Sequence, residues 1–167
     1  MAVDRDSRYL RQMASDLTIV PGDLDDPRII DLLTFHLAQA HANSPVCGVH
    51  ALNLPGLKAP EVSFWAGWTG ETLTVIGALK VLSPDHGEVK SMRTAEGLKG
   101  RGAGGAMLDH IIAAARARGL RRLSLETGSN EAFAPARAMY AGRGFTECGP
   151  FEGYRLNDFS RFMTMAL

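Results

Sequence analysis

The sequence predicts an α+β domain built on a mixed, mostly antiparallel central sheet flanked by helices, and three observations carry that prediction. Residues 62–68 and 73–82 are apolar, β-prone runs separated by Gly70-Glu71, and a further strand pattern at 88–93 follows with no helix between. Three strands in such close series pair antiparallel. Next, Met107, Leu108, Ile111, Ile112 and Ala115 recur on one face of a helix that leads to the strand pattern Leu123-Ser124-Leu125-Glu126-Thr127. A helical crossover of this kind makes the strands on either side of it parallel. Between strand 88–93 and that helix stand Gly100, Gly102, Gly104 and Gly105, which remove the side chains that would keep a ligand from the backbone just where unpaired helix amides attract anions.

The remaining elements follow in chain order. Leu17-Thr18-Ile19-Val20 is a short strand closed by Pro21-Gly22. Asp25 or Asp26 then caps a helix with Pro27 in its first turn, and Ile30, Leu33, Leu37 and Ala40 form its buried stripe to about residue 42. Residues 43–60, rich in Asn, Pro and Gly, read as a loop or broken helix. Ser83 to Gly87 breaks the chain before the third strand of the series, Gly119 ends the long helix, and residues 135–142 form a short alanine-rich helix. Phe145-Thr146-Glu147-Cys148 and residues 161–166 supply two last strands, with no internal repeat anywhere.

Composition bounds the function. With 167 residues, 46% hydrophobic and 22% charged, the chain suits a single domain over residues 13–167 behind a polar tail at 1–12, with Met13 as an alternative start. Eighteen basic and eighteen acidic residues cancel, so no global field favours nucleic acid or a membrane surface, and a small or locally recognised substrate is expected. Cys47 and Cys148 are too few for a disulfide framework and lack metal-site spacing, which points to a cytoplasmic protein without a bound metal. No cleavable signal and no stretch long and apolar enough to span a bilayer is found.

Three cofactor classes compete for the glycine loop. A nucleotide-triphosphatase loop needs Gly-Lys-Ser/Thr at the helix start, and Gly104-Gly105-Ala106-Met107 has neither lysine nor hydroxyl. A dinucleotide-dependent oxidoreductase is the second: Gly100, Gly102 and Gly105 satisfy G-x-G-x-x-G and Glu126 stands near the spacing of a ribose-binding acid. Against it, residues 94–98 separate the glycines from the strand, and hairpins replace the alternation of strands and helices that a doubly wound fold requires.

The third class fits the whole order of elements. Over residues 88–105 and 123–145, and more loosely over 17–167, the chain resembles the GNAT superfamily of N-acetyltransferases. Lys99-Gly100-Arg101-Gly102-Ala103-Gly104 matches its loop pattern of Arg or Gln, x, x, Gly, x, Gly or Ala, with Lys99 in the first place, and Met139-Tyr140 with Gly144-Phe145 matches its second signature. Phe133 and Gly142 stand where the family commonly has asparagine and lysine. Val49-His50-Ala51-Leu52, Gly87 to Thr94 and Leu123 to Gly128 resemble the bacterial YsnE-like branch.

The resemblance implies acetyl-CoA as cofactor and a central parallel pair of strands splayed into a V-shaped slot. Met92, Arg93 and Thr94 would line the slot through their main chain, and Lys99, Gly100, Arg101, Gly102, Ala103, Gly104 and Gly105 would hold the pyrophosphate. An amine acceptor with a pKa near 10.4 is unprotonated in only about one molecule in two thousand at neutral pH, so a base is needed. Glu88 is the leading base by its place in the family, and Glu126 is the alternative. Tyr140 matches the position of the acid that protonates the departing thiolate, and a backbone donor near Met92 would meet the carbonyl oxygen. Covalent transfer through Cys47 or Cys148 has no histidine and acid partners at a recognisable spacing. His50, Glu126 and Tyr154 are the candidate acceptor-binding residues. The cluster Arg116, Arg118, Arg121 and Arg122 complements a helix end. The expected function is direct acetyl transfer from acetyl-CoA to the amine of a small molecule or an exposed protein amine. An acyl-CoA-binding sensor module without catalysis is the alternative, and relatives imply a homodimer through the C-terminal strands.

Overall fold

The computed structural model describes residues 16–43 and 51–167. The polar tail, Met13, Cys47 and His50 lie outside the described residues. Seven strands form one sheet in the order β1-β2-β3-β4-β5-β7-β6. They are β1 (Leu17–Pro21), β2 (Val62–Thr69), β3 (Thr72–Ser83), β4 (His86–Thr94), β5 (Arg122–Gly128), β6 (Thr146–Cys148) and β7 (Ser160–Ala166). The helices are α1 (Pro27–Asn43), the single-turn α2 (Leu54–Leu57), α3 (Ala103–Ala117) and α4 (Ala134–Gly142), the last entered through a 3-10 turn, Glu131–Phe133.

The predicted order is the observed one, with shifted boundaries. Residues 83–87 do not break the chain for long: Ser83 already faces His86 across a two-residue turn at Pro84-Asp85, so β4 begins two residues before the expected Glu88. The region read as a loop or broken helix contains α2, whose first free amides are met by Asn53, with Oδ1 accepting from the Gly56 N–H at 3.0 Å. Asp26 caps α1, its Oδ1 accepting from the Arg28 N–H at 2.9 Å. The buried stripe of α1 is Ile29, Leu32 and Leu33, rotated by one residue from the predicted Ile30, Leu33 and Leu37. The sheet meets the helix on a side that periodicity alone does not fix.

The sheet carries a core on each face. Under α3 pack Val75, Leu79, Val89, Met107, Leu108, Ile111, Leu123, Leu125, Tyr140 and Phe145, and under α1 pack Phe64, Ala66, Leu73, Ile76 and Ala78. All neighbouring strands are antiparallel except β4 and β5, as predicted. That parallel pair is registered only at His86↔Arg122, Gly87↔Leu123 and Glu88↔Ser124. Past Glu88 the two strands separate while each keeps its outer partner, β3 or β7.

A bulge decides what the separated part of β4 presents. Ala78 faces Lys90 and Ile76 faces Arg93, so Ser91 and Met92 together oppose Gly77, with Ser91 at φ 56°. Strict alternation would set Met92 on the face of Glu88 and Lys90. The extra residue instead brings Arg93 to that face and sends the Met92 side chain to the α3 core. Gly77 makes the room: a Cβ there would stand 2.7 Å from Met107 Cγ and 2.9 Å from Met92 Sδ.

Candidate active site

The gap between the separated strands opens into a cavity of about 650 Å³. One end is bounded by Leu98 to Gly100 and Gly102 to Gly105, the middle by Val89 to Thr94 on one side and Glu126 to Gly128 on the other, and further walls by α1 and α4. Over the stretch that the cavity follows, each strand therefore lacks a partner on its inner edge only.

At the loop end, α3 begins without a side-chain cap. Its N-cap is Gly102 at φ 86°, a conformation that costs an L-residue with a Cβ free energy, and among the described residues no side chain makes a capping hydrogen bond there. These amides and the positive end of the helix dipole suit an anion. Lys99 adds a cation near the loop, its Nζ 2.8 Å from Glu96 Oε1. Arg101 is partly exposed beside it. Across the loop, Arg143 at the C-cap of α4 donates from Nε to Asp109 Oδ1 at 2.9 Å. The uncapped amides, the close backbone and the slot together fit a cofactor with a pyrophosphate and a long peptide-like arm.

At the other end, ionisable residues gather from β4, β5, α4 and the segment between β6 and β7. Glu88 is buried, and its Oε1 accepts from Lys90 Nζ at 3.0 Å and from the Tyr154 hydroxyl in a short hydrogen bond. Lys90 Nζ also donates to Tyr154 Oη at 2.9 Å, closing a three-membered network. Burial and the Glu88 carboxylate push the Tyr154 phenol far above its ordinary value, so it stays a proton donor. Phe151 and Phe162 hold its ring in place, with centroids at 5.0 and 5.6 Å. Glu126 lines the cavity from β5 and accepts from Ser160 Oγ at 2.8 Å.

Tyr140 lies 6% exposed at the cavity wall, edge-on to Phe145. Its phenol is also raised well above the usual range, first by burial and then by the charge of Glu126. Glu126 acts on the protonation of Tyr140 and Tyr154 alike, which sets it electrostatically between them.

The structure thus brings Glu88, Met92, Arg93, Thr94, Glu126, Tyr140 and the glycine loop to one cavity, except Arg101, which does not line it. Tyr154 does not line the cavity and is tied to it through its bonds to Glu88 and Lys90. Lys90, Ser91, His36 and Arg143 were not singled out from the sequence. Lys90 was legible, since it stands two residues after Glu88 on one strand and shares its face. Cys148 has its thiol pushed up by burial, away from the thiolate that covalent transfer needs. Of the predicted basic cluster, Arg118 donates to Ser63 Oγ at 2.8 Å and lies over the Trp65 ring.

Comparison with known proteins agrees with this geometry. The model of the acetyltransferase (GNAT) family matches residues 31–145. The uncharacterized N-acetyltransferase YedL of Escherichia coli is 43% identical over 150 residues, covering 90% of this chain and 94% of that protein. The uncharacterized N-acetyltransferase YsnE of Bacillus subtilis is 44% identical over 145 residues, covering 87% of this chain and 96% of its own. Among solved structures, a GNAT family acetyltransferase from Elizabethkingia anophelis with acetyl-CoA bound superposes with a TM-score of 0.68 at 19% identity, covering 92% of this chain and 99% of that one. Among the described residues no helix is long and apolar enough to cross a membrane.

Proposed function

The chain belongs to the GNAT acetyltransferase family, and from that premise we propose that it moves an acetyl group from acetyl-CoA directly to the amine of a small molecule or an exposed protein amine. The observation that carries the reading is the continuity of one cavity from the uncapped start of α3 to Tyr140, Glu126 and Glu88. A cofactor held by its pyrophosphate at the loop and by its arm along β4 would reach the acid–base groups without any movement of the fold.

Acetyl-CoA supplies a thioester whose acyl carbon forms a C–N bond to the amine as its C–S bond breaks. The chain's own groups handle the protons. Main chain of Met92 and Thr94 would align the arm, and an amide beside the Ser91 bulge would meet the carbonyl oxygen. The amine must lose a proton to a carboxylate. Glu88 is engaged by Lys90 and Tyr154; Glu126 is engaged too, by Ser160, but its charge acts on Tyr140 as well as on Tyr154, so we assign the base to Glu126 and give Glu88 the work of holding Lys90 and Tyr154 in place. Tyr140 Oη gives its proton to the departing sulfur. Burial, and then the Glu126 charge, raise the phenol, so Tyr140 holds its proton until the thiolate leaves.

The test is CoA release by the purified full chain with a panel of polyamines, amino acids, aminoglycosides and peptide N-termini. At least one amine class should accelerate release, with N-acetylated product by mass. Tight acetyl-CoA binding with no acceptor anywhere in the panel would instead favour a sensor module. A homodimer through the C-terminal strands belongs to the same reading, and a monomeric mass in solution would refute it.

A further inference from the structure

Among the described residues, three buried side-chain polar atoms have no hydrogen-bond partner: His36 Nδ1, Ser91 Oγ and Arg93 Nε. All three residues line the same cavity. Buried polar groups are almost always paired, because an orphan has given up water and received nothing. Three orphans at one cavity mark a place where a ligand completes the bonding. Ser91 is 8% exposed and sits at the bulge, while Arg93 is turned to the α1 face by that same bulge, beside His36.

Their chemistry selects the ligand. Arg93 can only donate, the Ser91 hydroxyl can donate, and neutral imidazole can donate from Nδ1 in one tautomer. Burial and the Arg93 charge push His36 down to about 4, so the ring is neutral at physiological pH. A carboxylate, with two oxygens and no donor, matches a set of donors of this kind; an ammonium group would face the Arg93 cation. Positive charge remains for it, since Arg93 and Lys99 share one carboxylate oxygen of Glu96, at 3.1 and 2.8 Å. The guanidinium is also held in place, 4.8 Å above the centre of the Phe35 ring.

We infer that the acetyl acceptor is an amine that also carries a carboxylate, an amino acid in the simplest case, with its carboxylate received by Arg93, Ser91 and His36 and its amine directed toward Glu126. The inference rests on the transferase reading above and narrows it. Opposite charges then stand at the two ends of the acceptor site, a cation for the acid group and a carboxylate for the amine. That arrangement excludes polyamines, whose second ammonium would lie against Arg93.

The experiment uses the unaltered full chain and follows CoA release with matched pairs: an α-amino acid, and the amine left when its carboxylate is replaced by hydrogen. For at least one pair the acid member should be preferred by about 30-fold in kcat/KM, mainly through KM, as expected for charge-assisted hydrogen bonds. A carboxylic acid of the same skeleton lacking the amine should inhibit competitively against the acceptor and not against acetyl-CoA. Arg93→Gln should collapse the preference, and Arg93→Lys should restore part of it. Should Arg93→Gln fail to fold, the pair comparison and the inhibition pattern on the unaltered chain still decide. Pair ratios near one throughout, as expected if water alone satisfies the three atoms, would overturn the inference while leaving the transferase reading intact. So would an acid that does not compete. If no member of any pair is acetylated and acetyl-CoA does not bind, the transferase reading falls and takes this inference with it.

Discussion

The two halves of the β4–β5 pair contrast within a few residues. In the half that is hydrogen-bonded, from His86 to Glu88 against Arg122 to Ser124, polar side chains satisfy one another: His86 Nε2 meets Ser124 Oγ at 2.7 Å, Ser124 meets Thr164 at 3.0 Å, and Glu88 is closed by Lys90 and Tyr154. In the half that separates, the strands border a cavity and the described orphan polar atoms appear. Satisfied polar networks rigidify, and unsatisfied ones at a cavity wait for a ligand. The closed half is therefore expected to carry stability and the open half chemistry, and variants can test that division.

The largest effect belongs to the open half. Tyr140→Phe deletes the proton donor but keeps the ring against Phe145, so kcat should fall by about 10²- to 10³-fold with the acetyl-CoA Kd nearly unchanged. Single-turnover acetylation at saturating amine measures it, and turnover equal to the parent chain would remove Tyr140 from the mechanism. Glu88→Gln should act on the other side of the division. It leaves Lys90, 9% exposed at its side chain, without its buried counter-charge, which costs roughly 3 kcal/mol of stability and lowers Tm by about 6–12 °C. Glu126→Gln should lose turnover with a much smaller change in Tm. If the two variants exchange these phenotypes, Glu88 is the base and the division between the halves is drawn in the wrong place.

A smaller effect comes from His36, at the border of the open half. Its ring is held at about 4, below the ordinary value of 6.5, by burial and by Arg93. Between those two values the unfolded chain binds the proton and the folded chain does not, so stability rises with pH through this window and is lost as pH falls from about 6.5 toward 4. The loss should be about 2–3 kcal/mol over that range. Carboxylates titrate there as well, so the quantity to measure is the difference between the parent chain and His36→Gln in urea unfolding at pH 7 and pH 4.5. A variant that loses as much stability as the parent would show that His36 is not held neutral.

Most of the fold was legible in the sequence because it rests on local periodicity. The hairpin runs, the α3 stripe and the glycine loop each announce themselves within a dozen residues, and a helical crossover then dictates one parallel pair. The site was legible less evenly. Tyr140 and the loop came through a motif, whereas Arg93 was assigned only through its main chain, because strict alternation from Glu88 places it on the wrong face. The displaced face follows from a bulge at Ser91 that no glycine or proline in β4 near that position signals; its trace lies on the neighbouring strand, at Gly77. Likewise the bonds of Glu88 to Tyr154 join residues 66 apart, a separation that strand spacing cannot bridge. Sequence reading recovers what is short in range, and the chemistry of the acceptor end is long in range.

The smallest predicted effect separates loop geometry from loop composition. Gly102 holds φ 86° with open space where a Cβ would stand, so Gly102→Ala meets backbone strain and no clash. Relieving that strain rotates the peptide that launches α3 and swings its first amides away from a bound pyrophosphate. Strain of about 1–2 kcal/mol corresponds to a loss of roughly tenfold in CoA affinity, with a modest fall in Tm. Gly142 is the control: it also has open space but no positive φ, and it stands in the last turn of α4, so Gly142→Ala should keep CoA affinity and leave stability equal or raised by about 0.5 kcal/mol. Calorimetric titration with CoA on both variants compares them directly. Equal affinities would mean that the uncapped helix start does not hold the anion, and the cofactor's phosphates would then have to be sought on Lys99, Arg101 and Arg143.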